Sequence, residues 1–350
     1  LAQFHARAGG LATGSDRAFD QGERSEFRER LEEMGIVIVP QDGGFATAAQ
    51  GRTCDALVVS TAVEDRVPDI AAARRQGIPT LHRSELLARY VAAHRTIAVS
   101  GTSGKSTVTA MVFSILRACD RHPGLLTGGP VTELVNEGRI GNAWAPDGPE
   151  SGSEPPLLDI EADESDGSLV RYRPWTGVIL NLGLDHKEPV EIMAMFRTFR
   201  DNVQGPLVVG ADTNLAELVQ GADLFGVGED DRPGTWARKV QLLPTGSEFE
   251  VDGVRFTLPV PGIYNVSNAA AAIAACRHCG LELEEMVPAL AGFAGVARRF
   301  QLEAYAGRTS LVERCLDRAE DIFVRSVPMR RPTRWVRSWM ARRARARLVE

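Results

Sequence analysis

The residues Gly101-Thr102-Ser103-Gly104-Lys105-Ser106-Thr107 combine two glycines, a lysine and several hydroxyls in one short run. They follow a β-branched apolar stretch, 96–99, and precede a segment in which Val108, Met111, Val112, Ile115 and Leu116 recur at helical spacing. The order strand, glycine loop, helix aims backbone N–H groups and a helix N-terminus at one point, which suits a phosphate. Lys105 adds a mobile positive charge for the outer phosphates of a nucleotide, and Ser106 a hydroxyl for the accompanying magnesium. Val99 stands where the longer phosphate-loop pattern has glycine, so the motif is the short G-x-x-G-K-S form.

Four further segments extend this chemistry. The apolar run 157–160 ends in Glu161-Ala162-Asp163-Glu164-Ser165-Asp166, and carboxylates crowded at a strand end are costly unless a cation joins them. A second apolar run, 178–180, delivers Asn181, Asp185 and His186 just beyond its end, a candidate second metal site. Asn265 and Asn268 share one face at the start of an alanine-rich helix, where they read either as N-cap and turn residues or as amide partners for a nucleotide base. Arg298-Arg299-Phe300 follows Gly295 and places planar guanidinium groups suited to a phosphate in transfer.

These residues need a scaffold that presents strand ends and helix starts along one edge. Residues 1–94 alternate short apolar runs (36–39, 56–60, from 79) with helical patterns (27–34, 70–76, 85–93), which predicts a parallel, Rossmann-like sheet. Residues 2–8 read as part of a helix whose preceding strand and glycine turn are expected upstream. A second α/β block carries strands at 156–161, 177–181, 206–210 and 223–227 and helices at 265–279 and 283–292. Between them, 240–258 alternates as antiparallel strands with turns at Thr245-Gly246 and Asp252-Gly253.

At 350 residues, with 44% hydrophobic and 25% charged side chains, the chain is of globular composition and long enough for two domains. No apolar run reaches membrane-spanning length, so no stable membrane insertion is expected. Five scattered cysteines fit reduced thiols in a cytoplasm, and Cys276 and Cys279, lacking a second pair, read as core residues and not zinc ligands. The net charge of −6 conceals a tail, 330–350, with eight arginines and one acid. That tail is +7 and the remainder −13, which offers nucleic acid no basic face.

Taken in order, the loop 101–107, the acidic run 161–166, Asn181 with Asp185-His186, Pro261-Gly262 with Asn265 and Asn268, and Gly295 with Arg298-Arg299-Phe300 resemble the Mur ligase family. Thr13-Gly14-Ser15-Asp16, Ser60-Thr61-Ala62-Val63 and Arg83-Ser84-Glu85 also resemble the UDP-binding domain of its alanine-adding and peptide-adding branch. The resemblance implies ATP-dependent amide formation on UDP-N-acetylmuramate through an acyl phosphate, with L-alanine or a peptide as the amine. In that scheme Gly101 to Thr107 hold ATP, with Lys105 on the β,γ-phosphates. Ser106 and Glu161 ligate one Mg2+ and His186 a second. Asn181, Asn265 and Asn268 contact the nucleotide and Arg299 its phosphates. Ser15, Asp16, Ser60, Glu164 and Ser165 face the UDP substrate. The implied division is an α/β UDP-binding domain over 1–94, a P-loop NTPase-like α/β central domain with a small antiparallel portion over 95–300, and an atypical basic tail over 301–350. The family's C-terminal ligase domain is expected there instead, so impaired turnover, or a non-catalytic nucleotide-binding fragment, is also an expectation. The sequence sets no oligomeric state. Ser103 and Ser106 replace the histidine and threonine usual in this branch.

Overall fold

The computed structural model describes residues 1–45, 54–60, 63, 66–146, 155–183, 187–297, 301–305 and 308–312. It opens with α1 (Ala2–Arg7), β1 (Thr13–Gly14), α2 (Arg17–Asp20), α3 (Ser25–Glu33) and β2 (Val37–Ile38). β3 (Leu57–Val59), α4 (Pro68–Gln76), β4 (Thr80–His82) and α5 (Arg83–Ala93) follow. β1 pairs with β2 and β3 with β4, both parallel. These strands are shorter than the apolar runs predict, because Val37 and Val58 remain over a third exposed and little apolar area rewards longer pairing. The βαβ logic holds locally. Pro68 starts α4 and Gly77, at φ 67°, ends it in the left-handed conformation that glycine adopts without strain.

The rest of the described chain is organised by one ten-stranded sheet. Its elements are β5 (Arg95–Ser100), α6 (Lys105–Ala118), β6 (Gly124–Leu126), α7 (Thr132–Asn136), β7 (Ala143–Trp144), β8 (Leu157–Glu161) and β9 (Thr176–Ile179). They continue with α8 (Pro189–Asn202), β10 (Leu207–Gly210), β11 (Asp223–Val227), β12 (Gly234–Leu243), β13 (Gly246–Val251), β14 (Val254–Leu258), α9 (Ile263–Arg277) and α10 (Leu283–Ala291). The strand order is β14-β13-β12-β11-β10-β9-β5-β8-β6-β7. From β12 to β6 all neighbours are parallel, while β7, β13 and β14 run antiparallel to theirs. The chain is therefore a mixed α/β protein with a large, mostly parallel sheet. β15 (Gln301–Tyr305) and β16 (Arg308–Val312) pair as a separate hairpin that the sequence pattern did not announce.

Each face of the sheet carries its own core. Ile97 and Val99 turn toward α6, α9 and α10, where Val108, Met111, Val112, Ile115 and Leu116 are fully buried, as their spacing predicts. Ala98, between them, turns to the opposite core with Leu158, Ile160, Ile179, Phe196 and Phe199. The alanine run of α9 is buried throughout 269–275, since small side chains let a helix lie close against its neighbours. Cys276 is buried at its end, and Cys279 just beyond is half-buried. Burial pushes both thiols up, Cys279 to about 11, which marks them as unreactive packing residues. β12 begins at Gly234, before the alternation starts, because Thr235, Trp236 and Ala237 are all buried against the parallel strand β11.

Phe196→Ala removes a fully buried ring and should cost about 3–5 kcal/mol of stability. Val190, 78% exposed at the start of the same helix, should lose no more than about 0.5 kcal/mol on conversion to alanine. Urea denaturation of the two variants checks the contrast.

Candidate functional site

β5 lies where strand order reverses: its α6 crossover leads toward β6 on one side, and β9 sits on the other. Ligands of open α/β sheets bind beyond the strand ends at such a reversal. Register brings Val99 opposite Glu161 on β8, and Ser100 opposite Ile179 on β9. The phosphate-type loop thus emerges between the acidic run and Asn181.

Two glycines shape that loop. Gly101 has φ 142°, and a Cβ there would stand 2.8 Å from Leu180 Cβ. Gly104 has φ 87°, and a Cβ there would stand 2.6 Å from Asn268 Oδ1. Both need glycine for conformation and for space. Asn181 holds the outer turn: its Oδ1 accepts the Thr102 hydroxyl and the Ser103 N–H, each at 2.9 Å, and its Nδ2 donates to the Ser103 carbonyl at 3.0 Å. Its amide is therefore committed to shaping the loop.

Lys105 and Ser106 open α6 and reach two different carboxylates. Lys105 Nζ donates to the Gly101 carbonyl at 2.9 Å and to Glu164 Oε1 at 3.0 Å. It also lies 2.9 Å from Glu164 Oε2 and 3.7 Å from Asp163. Glu164 is almost wholly buried, and its backbone carbonyl accepts Lys187 Nζ at 3.1 Å. Burial raises the Glu164 carboxyl above its ordinary range, with Lys105 opposing that rise. Ser106 Oγ donates to Glu161 Oε2 at 2.8 Å. The same oxygen accepts the Thr127 hydroxyl at 2.9 Å and the Gly128 N–H at 2.8 Å.

The Ser106 hydroxyl and the Glu161 carboxylate are hard oxygen donors in contact at a helix N-terminus, and this donor set fits a magnesium ion shared with a nucleotide phosphate. No cluster of three or more His, Cys, Asp or Glu side chains among the described residues is arranged for a metal. His186, Asp185, Arg298 and Arg299 lie outside the described residues. Asn268 stands against the loop at Gly104, with Asn265 behind it donating to the Pro261 carbonyl at 2.8 Å. Thr107 is half-buried on the first turn of α6.

The candidates in the N-terminal block are partly occupied by structure. Ser15 Oγ donates to the buried Asp69 at 2.5 Å, and Asp16 caps α2 by accepting the Ala18 N–H at 2.8 Å. Ser60 follows β3 and is half-buried. In the acidic run, Ser165 turns back on Asp163, its hydroxyl donating at 2.8 Å.

Sequence reasoning missed Thr127 and Gly128, although the Thr127-Gly128-Gly129 run after an apolar stretch is a recognisable strand-end turn. It also passed over Asp159, which reads as one polar residue in an apolar strand. Asp159 is fully buried two positions before Glu161, and its oxygens have no hydrogen-bond partner among the described residues. Burial first, and Glu161 second, push its carboxyl well above the usual range, so it is held neutral.

A phosphate-type loop at the reversal point of a mostly parallel sheet, flanked by carboxylates, defines an α/β protein of the phosphate-loop type. Two family models match the chain: "Mur ligase family, catalytic domain" over residues 1–95 and "Mur ligase middle domain" over 159–276. A UDP-N-acetylmuramate–L-alanine ligase of Synechococcus sp. (strain CC9605) is 32% identical, over 85% of this chain and 66% of its own length. The enzyme of that name from Streptomyces avermitilis is 33% identical, over 89% of this chain and 67% of its own. A crystal structure of a UDP-N-acetylmuramate:L-alanyl-γ-D-glutamyl-meso-diaminopimelate ligase from Neisseria meningitides is similar with a TM-score of 0.70 and 26% identity. That match covers 85% of this chain and 94% of the other. The chain belongs to the Mur ligase family. It spans 61–67% of the length of three curated relatives, all of them UDP-N-acetylmuramate–L-alanine ligases. Among the described residues no helix is long and apolar enough to cross a membrane.

Two substitutions test the geometry. Gly104→Ala should cost about 1–3 kcal/mol through its positive φ and, by displacing Asn268, lower nucleotide affinity at least about tenfold; titration calorimetry and thermal melting read the two effects. Lys105→Met leaves Glu164 buried without its cation. A carboxyl whose folded pKa is raised loses stabilising power as pH climbs from its unfolded value, about 4.3. The fall in thermal midpoint between about pH 5 and about pH 8, without nucleotide or divalent cation, should be larger in the variant than in the parent. An equal fall would contradict the pairing.

Proposed function

We propose that this chain is the nucleotide-binding part of an ATP-dependent acid–amino acid ligase of peptidoglycan precursor synthesis, joining L-alanine to UDP-N-acetylmuramate. The observation that carries the reading is the pairing of Lys105 with Glu164 and of Ser106 with Glu161. It supports a reading in which outer phosphates and their cation are held side by side. The relatives' printed names supply the substrates, and the nucleotide-sugar substrate implies work in the cytoplasm.

In this reading the Gly101–Thr107 backbone and Lys105 orient the triphosphate, while Ser106 and Glu161 would hold Mg2+, which neutralises charge on the transferring phosphoryl group. The substrate carboxylate takes the γ-phosphoryl to give an acyl phosphate and ADP. The amine then attacks the acyl carbon and releases inorganic phosphate. Positioning and electrostatic stabilisation supply most of the catalysis in such transfers. Asn265 and Asn268 face the base, His186 serves a second cation and Arg299 the phosphates. Ser15, Asp16, Ser60, Glu164 and Ser165 lie toward the UDP substrate. The likeness to a tripeptide-adding ligase keeps a peptide as the second reading for the amine.

Phosphate release from ATP, measured with UDP-N-acetylmuramate and either L-alanine or the tripeptide L-alanyl-γ-D-glutamyl-meso-diaminopimelate, separates the two. ATP with Mg2+ should bind while release stays weak, and the release that occurs should require both UDP-N-acetylmuramate and L-alanine. Lys105→Ala should lower it at least about a hundredfold. ATP binding that is indifferent to Lys105 would overturn the reading.

A further inference from the structure

Arg83 occupies a place that neither candidate site uses. It is the first residue of α5, directly after β4, so it stands at the carboxyl edge of the parallel pair β3–β4. Val59 lies opposite His82 in that pair, so Ser60 and Arg83 emerge side by side at the edge where α/β sheets take ligands. Yet Arg83 Nη2 leaves this edge and donates to Asp166 Oδ2 at 2.6 Å. The other Asp166 oxygen accepts the Ser168 N–H at 2.9 Å and so fixes the short turn Ser168–Arg171. A second contact runs parallel to the first, with Arg171 Nη1 lying 3.3 Å from Glu85 Oε1. Glu85 Oε2 in turn accepts the His82 N–H and completes the cap of α5.

The segment 161–171 is therefore gripped at both ends. Glu161 and Glu164 hold Ser106 and Lys105, whereas Asp166 and Arg171 are held by the start of α5. Triphosphate binding must redraw the first grip, because Lys105 cannot keep Glu164 as its main partner while serving phosphates. The run then has two arrangements, with Lys105 on Glu164 or on nucleotide. Any ligand that changes the hold of Arg83 on Asp166 biases that choice. Coupling between sites requires such a two-state element in contact with both.

We infer that the Arg83–Asp166 pair is a positioning contact that couples occupancy of the N-terminal ligand edge to nucleotide binding at Lys105. The inference rests on the ligase reading for the identity of both ligands. Arg83 is 47% exposed at its side chain and Asp166 12%, so the pair joins a solvent-facing guanidinium to a mostly buried carboxylate. Loss of the pair therefore lowers stability as well, and the linkage between ligands, not the melting point, is the readout of coupling.

The test is calorimetric, on the full chain. The Kd of ATP with Mg2+ is measured without and with saturating UDP-N-acetylmuramate, and the ratio is compared across variants. The parent should show a ratio of at least about five. Arg83→Gln should bring the ratio to within about 1.5-fold of unity while changing the Kd for ATP alone by less than about twofold. The double variant R83D/D166R should restore the ratio. Three results would overturn the inference: a parent that binds both ligands without linkage, an R83Q variant that keeps the parental ratio, or a uniform weakening of both affinities with the ratio unchanged. Failure of the charge swap to restore the ratio would remove Asp166 as the partner. Absence of Lys105-dependent ATP binding would instead count against the ligase reading itself.

Discussion

A lysine at the first position of a helix is electrostatically misplaced, because the helix N-terminus already carries partial positive charge. Lys105 occupies that position at the start of α6, and the architecture around it supplies the missing negative charge. The Gly101 carbonyl, the buried Glu164 carboxylate and Asp163 all converge on its ammonium group. The arrangement stores affinity for an anion. A phosphate entering the loop meets backbone N–H groups, a helix N-terminus and a lysine whose existing partner is buried at a cost. The site is organised before ligand arrives, which lowers the entropy lost on binding.

That interaction depends on sheet topology. Glu164 is only three residues beyond the end of β8, and β8 lies beside β5 because the α6 crossover skips one strand position before β6. Had β8 and β9 exchanged places, Asn181 would face the acidic side of the loop and Glu161 would be remote from Ser106. The two cores make this order durable. Alternate residues of β5 are locked into opposite layers, so a slip of one residue would turn Ala98 and Val99 into the wrong packing environments.

The elements whose cause is local were legible in the sequence. The phosphate-type loop, the face of α6 and the antiparallel strands after β11 each follow from residues a few positions apart, whereas Asn265 is no cap: Gly262 holds that position without a side-chain cap, and Asn265 donates to the Pro261 carbonyl. Several site contacts had no such signature. Glu161 reaches Thr127 and Gly128 across β6 and β8, a pairing set by strand register over more than thirty residues. Asn181 reads as a nucleotide contact by position, yet its amide is spent on Thr102 and Ser103, since an open loop with unmet backbone groups needs a local partner. Ser15 and Asp16 likewise serve Asp69 and the α2 cap. Hydroxyls and carboxylates at strand ends satisfy structure and ligand with the same chemistry, so residue type alone does not divide the two.

Asp159 shows how far the local charge balance extends into the sheet. A neutral carboxyl buried between Ile97 and Leu125, its partners in register on β5 and β6, gives up hydrogen bonds it would have in water. Were it ionised, it would stand on the same strand face as Glu161, two residues away, and the two negative charges would compete for the same cationic surroundings. The strand thus places neighbouring acids in opposite surroundings: exclusion from water pushes the Asp159 carboxyl up, while one Glu161 oxygen accepts three hydrogen bonds beside a helix N-terminus. The divergence places negative potential at the strand end, where a cation can be met, and keeps it out of the sheet interior.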